Sequence, residues 1–372
     1  MRHYLWVSLF FLVSCQVGYA MLAPDWKVVF RINPGNNNPR NSEGDFITLK
    51  NGRILFIYSR YTGVSSDDHA PAYLAGRFSD DGGKTWSNDD FTVVENEGRM
   101  NVMSVSLLRL QNGNIALFYL RKNSESDCIP MMRISTDGAK TWSSPVACIT
   151  DKKGYFVLNN NRVIQLKSGR LLMPVALHQT PEDAAFSAKG KIFAYYSDDN
   201  GATWNCSDEA SNPAGIISQE PGIIELKDGT IMMLIRASGG FQLISHSKDR
   251  GLTWSPMAAS NIHSPRSPAS IARIPSTGDL LLVWNNNDGS NPQIKDKRTP
   301  LTVAISKDEG KSWKHVADIE TGADGWYCYT AIHFTQKDVL LAYGTDRGLS
   351  AVKMVLLPQK DLYRKKNSVR KQ

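Results

Sequence analysis

One eight-residue pattern, S-x-D-x-G-x-T/S-W, occurs five times in the 372-residue chain, at 79–86, 135–142, 197–204, 247–254 and 306–313. Its tryptophans stand 56, 62, 50 and 59 positions apart, and a fixed period of that size marks a repeat architecture. Only the second copy departs, with Ala139 where the others carry glycine. The residue types are those of a hairpin turn. Aspartate can bond the turn's backbone, glycine accepts a positive φ, and tryptophan packs on a neighbouring sheet. The repeated aspartates therefore read as structural rather than as catalytic groups or calcium ligands.

Between these boxes lies a second periodic element, in which an apolar run turns at a glycine and returns as another apolar run. The turns fall at Gly52, Gly113, Gly169, Gly229 and Gly278, and a sixth copy has Lys337-Asp338 in place of the glycine. Two hairpins per period give four strands in each unit of about 50–60 residues. The fold class expected is all-β, with six such sheets arranged radially as a six-bladed β-propeller, which leaves only short, protected strand edges. Five boxes and six turns agree if residues 26–32 pair with the strand at 349–357 and so close the last unit. Hydrophobic residues at 41% and charged residues at 21% fit a globular chain and exclude coiled coil or wholesale disorder. One domain is expected over residues 22–360, followed by a basic disordered tail at 361–372.

The ends of the chain carry other signals. A basic start, an apolar stretch at residues 5–13 and then small residues read as an export signal over residues 1–20. Two cleavage cues compete, a lipobox-like Leu-Val-Ser-Cys ending at Cys15 and the Gly-Tyr-Ala ending at Ala20. The first leads to a lipid-anchored protein and the second to a free one, in the periplasm, at the cell surface or outside the cell. The apolar stretch is too short to span a bilayer, so no integral membrane segment is expected. Of the net charge of +7, Arg2 and the tail residues Arg364, Lys365, Lys366, Arg370 and Lys371 carry six, which argues against nucleic acid as a partner. Four cysteines follow Cys15 without metal-ligand spacing, so neither metal nor cofactor is expected. Cys128 and Cys148 flank the turn at Asp137-Gly138 almost symmetrically, which allows a disulfide in an exported protein, with two buried thiols as the alternative.

Functional groups are expected where the first strands of all units converge. Nine residues before each turn stand Glu43, Ser104, Asn160, Glu220, Ala269 and Tyr329, a ring holding two carboxylates and a tyrosine. A carboxylate within hydrogen-bond reach can take a phenolic proton, which suits nucleophilic catalysis by tyrosine. Arg60, Arg121, Arg236 and Arg298 end returning strands or face the same mouth, and the planar guanidinium is the natural receptor for a carboxylate. Asp67, Asp68 and His69 follow Arg60 in a loop whose acids could protonate a leaving group.

These features together resemble the sialidase (neuraminidase) superfamily, with its Asp-box repeats, over nearly the whole mature chain. The segment from Gln219 and Glu220 to Gly229 is similar to the one carrying the family's catalytic Glu, and Arg236 stands where the family has a carboxylate-binding Arg. Arg298 matches a second such Arg, and Tyr329 with Thr330 resembles the nucleophile segment, Tyr327 being its alternative. Arg60 with Asp67 and Asp68 resembles the family's Arg and acid/base loop. The first unit departs from the pattern. Phe30-Arg31-Ile32-Asn33 looks like the family's Phe-Arg-Ile-Pro but lies too far from Gly52, which leaves Arg40 as the better-placed first arginine. Glu43-Gly44-Asp45 replaces the usual apolar residues, so Glu43 and Asp45 join the expected substrate contacts, with His69 and Asn160.

The resemblance implies an exo-acting, retaining glycoside hydrolase that removes a terminal α-linked sialic acid from glycoconjugates, as a monomer. Arg40, Arg236 and Arg298 would hold the substrate carboxylate, Tyr329 activated by Glu220 would attack the anomeric carbon, and Asp67 or Asp68 would serve as acid/base. Two alternatives stay open: a different acidic sugar, ulosonate or uronate, and a non-catalytic carbohydrate-binding propeller.

Overall fold

The computed structural model describes residues 26–364; the expected export signal with Cys15 and most of the basic tail lie outside them. Twenty-five strands and two short 3₁₀ turns, Arg347–Leu349 and Gln359–Tyr363, make up the regular structure, with no α-helix among the described residues. The strands fall into six antiparallel units, five of four strands and the third of five segments, and a single parallel pairing of Tyr155 with Cys128 joins the third unit to the second. The first is Asn41–Thr48, Ile54–Tyr61, Ala72–Ser79 and Phe91–Val94, and the second is Asn101–Arg109, Ile115–Ser124, Asp127–Ser135 and Val146–Ala147. In the third, Tyr155–Val157 and Ile164–Gln165 both pair with Leu171–Gln179, which is followed by Lys191–Ser197 and Asn205–Cys206. Ser218–Glu225, Ile231–Ala237, Phe241–Ser247 and Ala258–His263 form the fourth unit; Ser270–Arg273, Leu280–Asn285, Leu301–Ser306 and Lys314–Glu320 form the fifth. The sixth takes Cys328–Phe334, Asp338–Thr345 and Ala351–Pro358 from the C-terminal end and Lys27–Ile32 from the N-terminal end. Lys27 lies opposite Leu356 and Ile32 opposite Val352, so the two ends of the described chain share one sheet.

The second strand of each unit is apolar along nearly its whole length because both its faces are covered. Ile54, Leu55, Phe56, Ile57 and Tyr58 are at most 1% exposed, and the run Leu280 to Val283 is equally buried. Each such side chain contributes about 1.5–3 kcal/mol through removal from water. Trp86 of the first box shows why the boxes repeat: it packs among Phe30, Phe46 and Phe56, in a cluster that also holds Leu340 and Met354 of the sixth unit. Each box is one hydrogen-bonded module. Asp199 Oδ1 accepts the Thr203 N–H at 2.9 Å, Oδ2 accepts its hydroxyl at 2.6 Å, and Ser197 Oγ accepts the Gly201 N–H at 2.8 Å. The same contacts recur at Asp81, Asp137, Asp249 and Asp308. These bonds favour the charged form and hold the Asp199 and Asp308 carboxyls at about 2. Ala139 keeps the glycine geometry of its box at φ 65°. At the sixth turn Thr335 Oγ1 accepts the Asp338 N–H at 2.9 Å, a side chain closing the turn that glycine makes elsewhere.

The first strands also share one irregularity. In four units the register shifts at their start, between Ser42 and Asp45, Met103 and Ser106, Gln219 and Pro221, and Cys328 and Ala331. The extra residue is left-handed in every case: Glu43 at φ 50°, Ser104 at 61°, Glu220 at 46° and Tyr329 at 56°. A bulge re-aims the side chain it carries, at a cost of roughly 1–2 kcal/mol for a non-glycine residue in that region. In the third unit the left-handed residue is Asn161, one position past Asn160, and Ala269 of the fifth is not among the left-handed residues. Consecutive first strands pack together, with Asn41–Thr48 against both Asn101–Arg109 and Cys328–Phe334, and Ser270–Arg273 against both Ser218–Glu225 and Cys328–Phe334.

Of the disulfide and the two buried thiols that the sequence left open, the structure has the thiols. Cys128 and Cys148 are both free and buried. Met131 pairs with Ala147 and Met132 with Val146, and Cys148 N–H donates to Pro130 O at 2.9 Å, so Cys148 stands opposite Pro130 and the hairpin is two positions off the register a disulfide needs. The ordered fold also continues past 360, since Leu362 is only 2% exposed and Asp361 pairs with Arg364 at 2.7 Å.

Candidate active site

Glu220 and Tyr329 sit on equivalent bulges of the fourth and sixth units, and Tyr329 Oη donates to Glu220 Oε1 at 3.2 Å. The same oxygen accepts from Arg236 Nη1 at 2.6 Å, a buried ion pair formed because Gln219 and Arg236 are cross-strand partners. The Arg298 guanidinium lies 5.5 Å from both the Tyr329 and Trp326 rings, and its Nη1 donates to Cys328 Sγ at 2.7 Å. Burial alone would raise the Glu220 carboxyl, but Arg236 and Arg298 outweigh it and hold it below the ordinary value. Burial and the neighbouring Glu220 charge push the Tyr329 phenol upward, so the resting pair is a neutral phenol hydrogen-bonded to a carboxylate.

A second cluster comes from the first unit and its loop. Arg40 is 5% exposed, lies 4.7 Å from the Tyr61 ring and forms a short ion pair with Asp68. Its Nη2 also reaches Glu43 Oε1 at 3.5 Å, while the Ser104 hydroxyl donates to the other Glu43 oxygen. Burial raises the Glu43 carboxyl; for Asp68, burial acts the same way but is overcome by Arg40, which holds it low. Lys122 Nζ fixes the loop by donating to Asp68 O at 2.8 Å. His69 follows, its ring 6.3 Å from that of Tyr155 and its Nδ1 buried without a partner.

Other expected contacts lie elsewhere or do other things. Asp67 is exposed and accepts the His69 N–H at 2.8 Å, closing a turn. Asn160 donates to Gly44 O at 2.8 Å and to Tyr329 O at 3.0 Å, so it ties the first and sixth units together beneath the nucleophile segment. Asp45 is 1% exposed and accepts from Phe46 N, Leu107 N and Asn161 Nδ2 at 2.7–2.8 Å; it is a buried tie between units, not a surface that substrate could touch. Arg60 points away, its Nε paired with Asp90 at 2.9 Å, and Arg121 pairs with none of these groups. Tyr327 is buried against Tyr343 with ring centroids 6.4 Å apart; residues two apart on a regular strand share a face, and the bulge at Tyr329 breaks that relation and sends the two rings to different places. Arg162 escaped the sequence reading, which took no arginine from the third unit. It lies on the third unit's inner segment, 3% exposed, and burial lowers it to about 10 against the pull of Glu220 and Asp45.

Among the described residues, buried polar atoms without partners collect in this region: Glu220 Oε2, Arg236 Nε, Arg298 Nε, Arg40 Nε and Asn160 Oδ1. Others lie elsewhere, among them Asn212 Oδ1, Gln242 Oε1 and Trp313 Nε1, but here three arginines and a carboxylate with open atoms belong to one site, where a polar ligand completes the network. Arg236 and Arg298 also line a cavity of about 670 Å³ between the fourth and fifth units. The arrangement can hold a carboxylate, present a nucleophilic phenol and supply a second carboxylic acid.

A family model of BNR repeat-like domains matches residues 59–341. A sialidase of Bacteroides fragilis is 26% identical over 357 residues, covering 85% of this chain and 60% of its own. A sialidase of Clostridium perfringens is 30% identical over 236 residues, which is 55% of this chain and 58% of that one. The chain thus spans 60% and 58% of these relatives' lengths. A solved Hadza microbial sialidase superposes with a TM-score of 0.71 at 17% identity, over 87% of this chain and 66% of its own, which is a likeness of fold.

Proposed function

The chain belongs to the sialidase superfamily of BNR repeat-like domains, and from that premise we propose that it is an exo-acting, retaining glycoside hydrolase that removes a terminal α-linked sialic acid. The scaffold is read as a six-bladed β-propeller, a reading supported by six successive antiparallel units, five of four strands and one of five segments, and by the packing of first strand on first strand. The observation that carries the activity is the Tyr329–Glu220 hydrogen bond of 3.2 Å inside an arginine pair. A binding module needs the arginines but has no use for a phenol coupled to a buried carboxylate.

In this mechanism Arg236, Arg298 and Arg40 hold the carboxylate on the anomeric carbon. Tyr329 attacks that carbon as its proton passes to Glu220 and the bond to the leaving oxygen breaks, giving a glycosyl-enzyme; water deprotonated by the acid/base then displaces the phenol, which takes its proton back from Glu220, and the two inversions leave the stereochemistry retained. A neutral phenol suits an anionic substrate because it is not repelled. Asp68 is the acid/base, rather than Asp67, because Arg40 places it beside the site while Asp67 is spent on an exposed turn. Arg40 pairs with the Asp68 carboxylate at rest; once the substrate carboxylate takes over Arg40, the carboxyl of Asp68 is released upward, takes up a proton from solvent and can pass it to the leaving oxygen.

One observation favours a second acidic sugar in place of sialic acid. Glu43 and Asp68 both partner Arg40, so two carboxylates offset the first arginine and weaken its hold on an anion. A ulosonate or uronate held by Arg236 and Arg298 alone would fit the same machinery. Release of a fluorescent aglycone from α-linked N-acetylneuraminic acid, with ulosonides and uronides in parallel, decides between them. Turnover of none of these by folded protein would sink the hydrolase reading.

A further inference from the structure

The cavity of about 670 Å³ extends outward from Arg236 and Arg298 and is walled by Trp326 and by the loops that carry Arg266 and Lys295. That volume lies in the range of small-molecule sites. Arg266 and Lys295 are exposed, and neither makes an ion pair or side-chain hydrogen bond among the described residues. The neighbouring Lys297, by contrast, is committed to Ala323 O at 2.9 Å. Two acids share the cavity: Asp288, whose carboxylate accepts the Ser290 N–H at 2.9 Å, and Asp296. Four cations against two acids leave the lining basic.

Both loops are held in place from below. Gln242, fully buried, donates to Ser264 Oγ and to Ser267 O at 2.8 Å each, pinning the residues on either side of Arg266. Asn287, 4% exposed, donates to Ile294 O at 2.6 Å and Lys297 O at 3.0 Å, closing the loop that presents Lys295. Cations without partners, carried on pinned loops at the wall of a cavity that begins at the carboxylate clamp, mark a place for a second negative charge.

We propose that this cavity is a leaving-group subsite for an anionic sugar, so that Arg266 and Lys295 bind a carboxylate or sulfate on the residue next to the one removed. The proposal rests on the glycosidase reading above. In a sialoside the clamped carboxylate and the leaving oxygen share the anomeric carbon, so the next sugar begins within a few bonds of Arg236 and Arg298. A group on that neighbour reaches the far wall of the same cavity.

The test compares kcat/KM for 3′-sialyllactose, its 6-sulfated form and α2,8-linked disialyllactose in the wild type and in the double variant Arg266→Ala/Lys295→Ala. A preference for either dianion of roughly tenfold that falls to about one in the variant is expected, and which dianion gains tells sulfate from carboxylate. Residual turnover of 3′-sialyllactose shows that the variant is folded. No preference in the wild type, or one that survives the double substitution, overturns the proposal. If none of the three is cleaved, the glycosidase reading fails separately. Titration calorimetry with disialyllactose then decides: binding that the variant weakens about tenfold upholds the subsite, while equal or undetectable binding overturns it.

Discussion

Tyr329 donates to Glu220 across 3.2 Å although 109 positions separate them in the chain, and both stand on left-handed bulges at the same place in their units. Neither backbone is in a conformation its side chain prefers, and the strain is the means by which a phenol and a carboxylate are turned toward each other.

If Tyr329 is the nucleophile, Tyr329→Phe lowers kcat by roughly 10³-fold or more while the binding of a carboxylate-bearing inhibitor stays close to wild type. Single-turnover kinetics with a fluorescent aglycone reads the first and calorimetry the second. A variant that keeps its kcat would remove Tyr329 from the mechanism.

Arg236 both grips the substrate carboxylate and neutralises Glu220. Arg236→Met leaves a buried carboxylate without its ion-pair partner, and a loss of about 3–5 kcal/mol in stability is expected, against a smaller loss for Arg236→Lys. The Glu220 carboxyl lies below its ordinary value, so its contribution to stability is present above the unfolded pKa and lost as pH falls through the folded one. In Arg236→Lys, where the hold on Glu220 is weaker, the acid limb of the activity profile moves to higher pH. Chemical denaturation and a pH–rate profile check both statements.

Asp68 and Asp67 are separated by leaving-group dependence. Asp68→Asn loses about 10²–10⁴-fold on a sugar aglycone, which needs a proton, and far less on an activated phenol, which does not. Asp67→Asn is expected to stay within about threefold on both, since surface changes away from the chemistry cost little. Equal losses for the two variants would contradict the assignment of Asp68.

Burial raises the Asp45 carboxyl to about 7, against hydrogen bonds from Leu107, Phe46 and Asn161. A folded pKa above the unfolded one near 3.9 means that its contribution to stability is complete below about pH 4 and is lost as pH rises through 7. Thermal unfolding of Asp45→Asn should therefore lose the part of the pH 4–8 slope that the wild type shows, from a lower starting Tm because an amide nitrogen now faces an N–H donor. Catalytic parameters that change more than stability would return Asp45 to the substrate contacts.

Ala139 holds φ 65° where four boxes have glycine. Ala139→Gly is expected to stabilise by about 0.5–1 kcal/mol, relief of left-handed strain being partly offset by the added freedom of the unfolded chain. Urea denaturation measures it, and a destabilised variant would show that the methyl contact in the core outweighs the strain.

The sequence by itself determined the four-stranded units, the pairing of the two chain ends and the ring of residues nine positions before each turn. All of these follow from local chemistry: a turn at a fixed offset sets where the strand begins, and alternation within the strand sets which residues are buried. Glu43, Ser104, Glu220 and Tyr329 were therefore legible as equivalent positions, and the tertiary structure gives them equivalent left-handed backbones. The pairing of Tyr329 with Glu220 was expected from the family resemblance, but the other partners were not legible. That Arg60 turns to Asp90 while Arg40 turns to Asp68, that Arg162 enters the centre, and that Cys148 meets Pro130 depend on side-chain direction and on register slips of one or two residues. Repeat spacing carries no record of either. Such choices are made only when the units pack against one another, because the balance between desolvation and pairing that selects each partner does not exist until the first strands have met.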